Sequence, residues 1–303
     1  HGKQSVGSVR GESSHQEHPF IALLSADATQ DAGEVYGMHF VYSGNFLAQA
    51  ELSQFDSIRM TMGIHPENFV WKLEQGESFA APEVVMTYSS EGLSGMTHHY
   101  HDMYRGHLIR GEYRDKKRPI LINNWEATYF DFNTEKLLKI AEQASKLGIE
   151  MLVMDDGWFG HRNDDSTSLG DWKVNEQKLP GGLKSLVEQV NALGMKFGIW
   201  IEPEMVNPRS ELAEKHPDWI VKAGNREIPR MRNQWLLDLS NPKVQDFVFS
   251  VFDNTMKLSP NIDYIKWDAN RHVENAGSEY LPEDKQSHFW IDYTQGFYKV
   301  MER

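Results

Sequence analysis

The chain has 303 residues, a formal net charge of −13 and no cysteine, and 40% of its residues are hydrophobic. The acidic balance disfavours nucleic-acid binding, and the missing cysteines exclude disulfides and thiolate metal sites. This length and hydrophobic content suit two domains, or one large barrel with an attachment. Because no apolar run approaches the ~18 residues of a membrane span and no signal-peptide pattern opens the chain, we expect a cytoplasmic protein without a membrane partner.

The first third of the chain shows the period of two that is typical of strands. Residues 1–18 are polar and predict a loop or a tail. Strand-like segments follow at 20–24, 34–42, 45–52, 57–64 and 83–88, separated by Gly, Asn, Asp and Pro. Short strands at this spacing predict an antiparallel sheet or sandwich, and we expect residues 1–90 to form this domain.

Residues 96–109 have helical spacing and carry His98, His99 and His101. An i, i+3 histidine pair can hold a metal ion, but no acid lies at a matching position, so we predict solvated or packed imidazoles. The charged segment 111–118 precedes Pro119 and is typical of a domain boundary. Residues 91–118 are therefore predicted to be a helical linker.

From residue 119 to 303 strands alternate with helices, as in an α/β domain. Strands are predicted at 120–122, 151–154, 196–201 and 262–265, with short ones at 219–221 and 234–239, and we expect 262–265 to be a buried parallel strand. Helices are predicted at 134–147 with Thr134 as cap, 182–193, 209–215, 242–258 with Asn241 as cap, and 285–303. The loop after the first strand reads Asn-Asn-Trp-Glu and lacks glycine, which favours a (β/α)8 barrel over a nucleotide-binding open sheet.

Acids and tryptophans follow the predicted strands, and in a barrel they converge on one mouth. Such residues suit a sugar site, since carboxylates accept hydrogen bonds from hydroxyls and an indole covers a pyranose face. They are Trp125, Asp155, Asp156, Trp200, Glu202, Lys266 and Asp268. Trp158 and Trp267 are expected to be core residues at the barrel rim. Trp125 and Trp200 fit equally a core position or a ring that covers the sugar.

Lys266 and Asp268 share side-chain parity, so the ammonium is expected to lie beside Asp268 and to hold its pKa down, as a carboxylate nucleophile requires. A structural ion pair at a strand end is the alternative. The adjacent Asp155 and Asp156 repel each other unless a divalent cation or a ligand with several hydroxyl donors lies between them.

Several motifs, in this order, resemble the α-galactosidases of glycoside hydrolase family 36, and residues 20–109 resemble the end of that family's N-terminal β-sandwich. The motifs are Asn123-Asn124-Trp125-Glu126-Ala127, Met154-Asp155-Asp156-Gly157-Trp158-Phe159-Gly160, Gly170-Asp171-Trp172, Gly198-Ile199-Trp200-Ile201-Glu202-Pro203-Glu204-Met205-Val206, Leu237-Asp238-Leu239-Ser240-Asn241-Pro242 and Lys266-Trp267-Asp268-Ala269-Asn270-Arg271.

The resemblance implies that Asp268 is the nucleophile of a retaining hydrolase and that Asp155 and Asp156 bind the galactose 4- and 6-hydroxyls. The further substrate-binding residues that it implies are Lys266, Trp125, Trp200, Arg232 and Asn270. It also places Asp268 after the fourth barrel strand, which makes 219–221 and 234–239 a hairpin inserted in the third βα loop. Residues 119–303 would then be the N-terminal part of the barrel.

The implied substrates are melibiose and raffinose-type oligosaccharides, with no cofactor, no metal and a possible homo-oligomer, a tetramer in relatives. The family's acid/base residue has no match here, so we expect the 303 residues to be part of a longer polypeptide. Three alternatives remain: a galactosyl transferase of the raffinose-synthase type, a galactose-binding fragment without catalysis, and a metal-dependent phosphoryl-transfer enzyme.

Overall fold

The computed structural model describes residues 2–13, 16–229 and 231–303. The chain divides into two compact units, His1–Lys117 and Arg118–Arg303. The first unit has antiparallel sheets and the second has a parallel sheet with helices, as predicted. No helix in the described ranges is long and apolar enough to cross a membrane.

Six strands form two three-stranded antiparallel sheets in the first unit. In chain order they are β1 (Gly2–Ser8), β2 (Phe20–Leu24), β3 (Val35–Phe40), β4 (Phe46–Leu52), β5 (Ile58–Ile64) and β6 (Val84–Ser89). One sheet has the order β1-β4-β5 and the other the order β2-β3-β6. The five predicted strands are confirmed, and none of their ends is shifted by more than two residues.

Strand β1 lies where a loop was predicted, so that prediction was wrong. Its backbone pairs with β4 along its whole length, from Gly2 opposite Leu52 to Ser8 opposite Phe46. Residues 2–5 are exposed. A strand at a sheet edge needs only backbone pairing, so no alternation of apolar residues marks it in the sequence.

Helix α1 (Gly92–Met103) follows β6 and continues as one turn of π-helix, Tyr104–Leu108. Its Met96 and Tyr100 pack on Val35 of β3. The three histidines that the sequence singled out lie exposed on α1. His99 Nδ1 is 2.9 Å from the Thr87 hydroxyl. In the described ranges no group of three His, Cys, Asp or Glu side chains is placed to hold a metal ion.

The strands of the second unit, in its described part, are β7 (Leu121–Asn123), β8 (Met151–Met154), β9 (Lys196–Ile201), β10 (Met205–Val206), β11 (Trp235–Leu236) and β12 (Ile262–Trp267). Four of them form a parallel sheet in the order β12-β9-β8-β7, and β10 pairs with β11. The helices are α2 (Trp125–Thr128), α3 (Thr134–Lys146), α4 (Gly182–Ala192), α5 (Glu211–Lys215), α6 (Pro242–Leu258) and α7 (Phe289–Glu302). In a (β/α)8 barrel, strands that follow one another in the sheet are joined by helices, and the parallel strands of this unit show that pattern. Their number, four, agrees with the resemblance.

Strand β12 pairs with β9 and is an edge strand of this four-stranded sheet. Ile262 is buried, but Asp263 and Tyr264 are exposed and Ile265 is only partly buried. The prediction of a buried strand was therefore wrong in part. An apolar run resembles a fully buried strand even where only one neighbour covers it.

The helix limits follow their caps. Asn133, and not Thr134 as predicted, accepts the Lys136 N–H at the start of α3. Asn241 caps α6 through the Lys243 N–H, with Pro242 in the first turn, as predicted. The last predicted helix begins as a 3-10 segment, Glu283–His288, before α7.

The predicted hairpin between 219–221 and 234–239 exists only in part. Trp219 ends a 3-10 turn, and Ile220 forms one antiparallel bridge with Leu237. The two-residue strand β11 pairs instead with β10, which directly follows the Glu202-Pro203-Glu204 segment. This pairing brings residues 231–234 back to the carboxyl end of the parallel sheet.

The core of the second unit lies between the sheet and its helices. All four residues of β8 are buried, and the apolar face of α4 packs on the neighbouring strand β9 and adds Leu183, Leu186, Val187 and Val190 to the same core. Burying such a side chain stabilises the fold by roughly 1.5–3 kcal/mol. The strands are therefore rigid supports for the polar residues at their ends.

Candidate functional site

The carboxyl ends of β7, β8, β9 and β12 lie side by side, and the residues that follow them are joined by direct hydrogen bonds. Seven of the eight site residues predicted from the sequence either take part in these hydrogen bonds or bond to a residue that does. They are Asp155, Asp156, Trp200, Arg232, Lys266, Asp268 and Asn270. Trp125 begins α2 beside them, and its backbone N–H donates to Asn123 Oδ1.

Asp155 is a centre of this network. Its Oδ2 accepts hydrogen bonds from Lys266 Nζ at 2.8 Å and from Asn123 Nδ2 at 2.6 Å, and its side chain is 4% exposed. Its backbone N–H donates to Asn124 Oδ1. The two asparagines after β7 therefore fix both the backbone and the carboxylate of the residue after β8.

The expectation that Lys266 pairs with Asp268 is wrong, because in the described part of the chain its ion-pair partner is Asp155. The sheet register explains this. Lys266 is level with Trp200 on β9, and Met154 is level with Ile199, so Asp155 lies on the same rung as Lys266 across β9. Parity within one strand shows which face a residue takes but not which neighbouring strand it reaches.

Asp268 follows β12, and its backbone N–H donates to Ile201 O, which extends the parallel pairing by one residue. Its Oδ2 accepts hydrogen bonds from Trp200 Nε1 at 2.9 Å and from Asn270 Nδ2 at 2.7 Å. Among the described residues, its Oδ1 accepts one longer hydrogen bond, 3.2 Å, from the Ala269 N–H. Two side-chain donors thus hold Oδ2, and Oδ1 is the less engaged carboxylate oxygen.

Arg232 reaches the same group from the segment before β11. Its Nη1 donates to Asn270 Oδ1 at 2.5 Å. Both Arg232 and Asn233 have left-handed backbones, with φ of 53° and 58°. Non-glycine residues adopt this conformation at a cost, so two in succession mark a segment that its surroundings hold in place.

Asp156 is paired with a residue that the sequence analysis missed. Arg162 donates from Nε and Nη2 to both carboxylate oxygens of Asp156, with the shortest contact at 2.8 Å and side-chain exposures of 1% and 8%. Burial raises the pKa of Asp156, and the Arg162 guanidinium opposes that rise. Such a bidentate pair fixes the orientation of the carboxylate.

Asn207 connects this pair to the Arg232 segment and is fully buried. Its Oδ1 accepts from Arg162 Nη1 and from the Leu169 N–H, both at 2.9 Å. Its Nδ2 donates to Asn233 O at 2.8 Å and to Asp165 O at 3.1 Å. One asparagine after β10 therefore holds two sides of the site.

Glu202 and Glu204 are both buried acids after β9, with exposures of 0% and 7%. Burial raises the pKa of Glu202 to about 8, and the Asp268 charge adds to the rise. Burial also raises the pKa of Glu204. Glu204 accepts hydrogen bonds from Trp267 Nε1 and Tyr293 Oη.

The tryptophans differ in exposure. Trp158 is fully buried and Trp267 packs on Phe252 and Phe297, as expected for rim residues of the core. Trp200 is only 1% exposed, so it acts as the hydrogen-bond donor to Asp268 and offers no open ring face. Trp125 is partly exposed.

The structure brings cations to both acids of the adjacent pair, which bears on the metal alternative. Lys266 forms an ion pair with Asp155, and Arg162 forms one with Asp156. A divalent cation would need to displace or face these two positive charges. A ligand hydroxyl can donate a hydrogen bond to either carboxylate without displacing these cations, because each carboxylate oxygen has more than one lone pair.

Some of the missed residues carried a signal in the sequence. Asn123 and Asn124 open the motif after the first predicted barrel strand, and Asn207 directly follows the motif that ends at Val206. Gln234 also belongs to the site, since its Nε2 donates to Glu202 Oε2 at 2.9 Å. No spacing rule in the sequence connects Arg162 to Asp156 or Gln234 to Glu202. Only tertiary structure reveals those contacts.

Two known families together match nearly the whole chain. Residues 78–303 match the Melibiase family, and residues 1–74 match the Glycosyl hydrolase family 36 N-terminal domain. The chain is 55% identical over 301 residues to alpha-galactosidase AgaA of Geobacillus stearothermophilus, covering 99% of this chain and 41% of that protein. It therefore spans about two fifths of the length of that curated relative.

Solved structures agree with this. A crystal structure of an AgaA variant in complex with raffinose matches with a TM-score of 0.97 and 54% identity, over 99% of this chain and 42% of that one. The galactosidase domain of the alpha-galactosidase-sucrose kinase AgaSK matches with a TM-score of 0.94 and 47% identity, over 100% of this chain and 41% of that one; its curated counterpart comes from Mediterraneibacter gnavus.

Proposed function

The chain belongs to glycoside hydrolase family 36, and from this membership we propose that the intact protein is a retaining α-galactosidase. Its proposed substrates are melibiose and raffinose-type oligosaccharides, from which it releases the terminal galactose. The binding of raffinose and of stachyose by AgaA variants supports this substrate class.

The observation that carries the proposal is the environment of Asp268. Because Trp200 and Asn270 both bond to Oδ2, the less engaged Oδ1 is the oxygen proposed to attack the anomeric carbon. The bond from that carbon to the leaving oxygen breaks as the ester to Asp268 forms, and a second carboxyl group protonates the leaving oxygen. Water, deprotonated by the same group, then attacks the anomeric carbon and frees Asp268, with net retention.

Asp155 and Asp156 are proposed to accept hydrogen bonds from the galactose hydroxyls. Their ion pairs with Lys266 and Arg162 support this role, since each acid is held in one orientation and retains lone pairs. Lys266 has three N–H donors, so the ammonium can bind a sugar oxygen while it contacts Asp155. Trp125, Arg232 and Asn270 border the same space and complete the proposed sugar site.

The proton donor to the leaving group remains unassigned among the residues of this chain. Glu202 and Glu204 have raised pKa values, which suits a general acid, but both are buried and bonded to protein groups. A general acid has to reach the leaving oxygen directly or through one water. Neither glutamate is therefore proposed for this role.

The test is product analysis with the intact protein. Early NMR spectra of the reaction with 4-nitrophenyl α-galactoside should show the α-anomer of galactose first, and raffinose should give galactose and sucrose. Appearance of the β-anomer first, or absence of turnover, would contradict the proposal. Transfer of galactose to added sucrose in preference to water would indicate the raffinose-synthase alternative.

The cytoplasmic location and the homo-oligomeric state that the sequence analysis anticipated are part of this proposal. Cell fractionation and light scattering of the intact protein test them.

A further inference from the structure

Glu202 lies at the centre of the site, yet it has no exposed surface and no substrate atom could touch it. Its two oxygens hold two different segments. Oε1 accepts the Asn270 N–H at 2.7 Å, and Oε2 accepts Gln234 Nε2 at 2.9 Å. A buried carboxyl group is costly unless its hydrogen bonds serve the fold or the site.

We infer that Glu202 is a positioning residue for the reaction, which orients the Asp268 carboxylate through Asn270. This inference rests on the proposed function. The Asn270 backbone is fixed by Glu202, and its side chain donates to Asp268 Oδ2 at 2.7 Å. Displacement of Asn270 would therefore turn the carboxylate away from its orientation.

The same carboxyl group also affects the opposite side of the site. Gln234 lies two residues after Arg232, in the segment with two left-handed residues. Arg232 Nη1 and Glu202 Oε1 both contact Asn270, one at the side-chain oxygen and the other at the backbone. Through Gln234 and Asn270, one buried group thus aligns the segment before β11 with the loop after β12.

Gln234 shows which substitution preserves the arrangement. Within the described ranges, its Oε1 is among the buried side-chain atoms for which no hydrogen-bond partner is found. Rotation of the amide by half a turn would point this oxygen at residue 202, where it could accept a hydrogen bond from an amide. Glu202→Gln can therefore keep both contacts, whereas Glu202→Leu, of similar size, keeps neither.

The test is a double-mutant cycle in the intact protein, with kcat for 4-nitrophenyl α-galactoside as the readout. Glu202→Leu should lower kcat by about 10- to 100-fold, since small displacements of reacting groups have effects of this size. In an Asn270→Ala background the same substitution should lower kcat by less than about threefold, because two residues that act through one contact are not additive. Glu202→Gln, which can keep both hydrogen bonds, should retain a kcat within about threefold of the native value.

Glu204→Gln is the matched control, because Glu204 is a buried acid of the same motif that contacts Trp267 and Tyr293 and not Asn270. It should change the melting temperature more than kcat. Circular dichroism spectra of the variants test whether each one is folded. If Glu202→Leu does not fold, Glu202→Asp replaces it in the cycle, since its shorter side chain cannot hold both partners.

Two outcomes would overturn the inference while leaving the proposed function intact. The losses from the two single substitutions could multiply in the double variant, or Glu202→Gln could lose as much kcat as Glu202→Leu. Absence of α-galactoside turnover in the native protein would instead refute the proposed function, and the inference would fall with it.

Discussion

Lys266 Nζ lies 2.8 Å from Asp155 Oδ2, although 111 positions separate the two residues in the chain. The strands that carry them, β12 and β8, both border β9. The pair therefore spans the middle of the four-stranded sheet at its carboxyl end. It places an acceptor and a donor group side by side, the combination that a ligand with neighbouring hydroxyls requires.

The first prediction concerns this pair. Asp155→Ala should weaken galactose binding by roughly 1–3 kcal/mol, because a buried sugar hydroxyl loses its acceptor. Discrimination against glucose should fall in the same variant. Calorimetric titration with galactose and with glucose measures both effects. Asp253→Ala, which removes an exposed acid paired with Lys257 on α6, is the control and should leave sugar binding unchanged.

The metal alternative predicts a different result for the same variants. If Asp155→Ala left sugar affinity unchanged but abolished the binding of a divalent cation, the sugar-binding assignment would be wrong. Native activity that disappears with a chelator and returns with added cation would also support the metal alternative.

The second prediction is that Asp268→Asn lowers kcat by ~10³-fold or more without unfolding the protein, because an amide cannot form the glycosyl ester. The Asn side chain keeps an oxygen that can accept from Trp200 or Asn270. Steady-state kinetics and the melting temperature measure the two effects. A near-native rate would show that Asp268 is not the nucleophile.

Azide provides an independent check of the same residue. In an Asp268→Gly variant it should restore turnover of an aryl α-galactoside and give the β-galactosyl azide, since the small anion can occupy the space of the missing carboxylate. The native enzyme should give no such product.

The third prediction concerns stability. Arg162→Met should destabilise the protein by about 3–5 kcal/mol, because it leaves the buried carboxylate of Asp156 without its partner. Thermal unfolding of the intact protein measures the change. Adding Asp156→Asn to this variant should recover part of the loss, and a double variant less stable than Arg162→Met would contradict the pairing argument.

The sequence allowed the second unit to be predicted well because strand, acid and helix recur in a fixed order. Met151–Met154 is apolar throughout and runs into Asp155, and Lys196–Ile201 runs into Glu202. An apolar strand that runs into an acid can be recognised from neighbouring residues alone. Strand β1 could not be found in this way, because its pairing with β4 uses backbone groups and its first four residues are exposed.

The partners within the site were harder to predict than its members. Lys266 and Asp268 were both identified, but the pairing of Lys266 with Asp155 depends on the register between three strands. Arg162 belongs to an irregular loop, and its route to Asp156 depends on the backbone of that loop. Contacts of this kind are set by packing at long range, which single-sequence patterns do not encode.

The fourth prediction is a dependence of stability on pH that Glu202 controls. Burial raises the pKa of Glu202 from 4.5 to about 8 in the folded protein, helped by the Asp268 charge. Between these values the folded state holds a proton that the unfolded state has released. This contribution to stability is thus fully present below the unfolded pKa and is lost as the pH rises through the folded one.

Thermal unfolding of the intact protein between pH about 5 and about 8.5 should therefore show a fall in melting temperature that is smaller in Glu202→Gln. The amide has no proton to release, and the flipped Gln234 can still pair with it. Glu188→Gln, an exposed substitution on α4, is the control and should reproduce the native slope. Asp268→Asn should also reduce the slope, because it removes the charge that adds to the effect of burial. Equal slopes in the native protein and in Glu202→Gln would show that Glu202 ionises in the folded state much as it does in the unfolded chain.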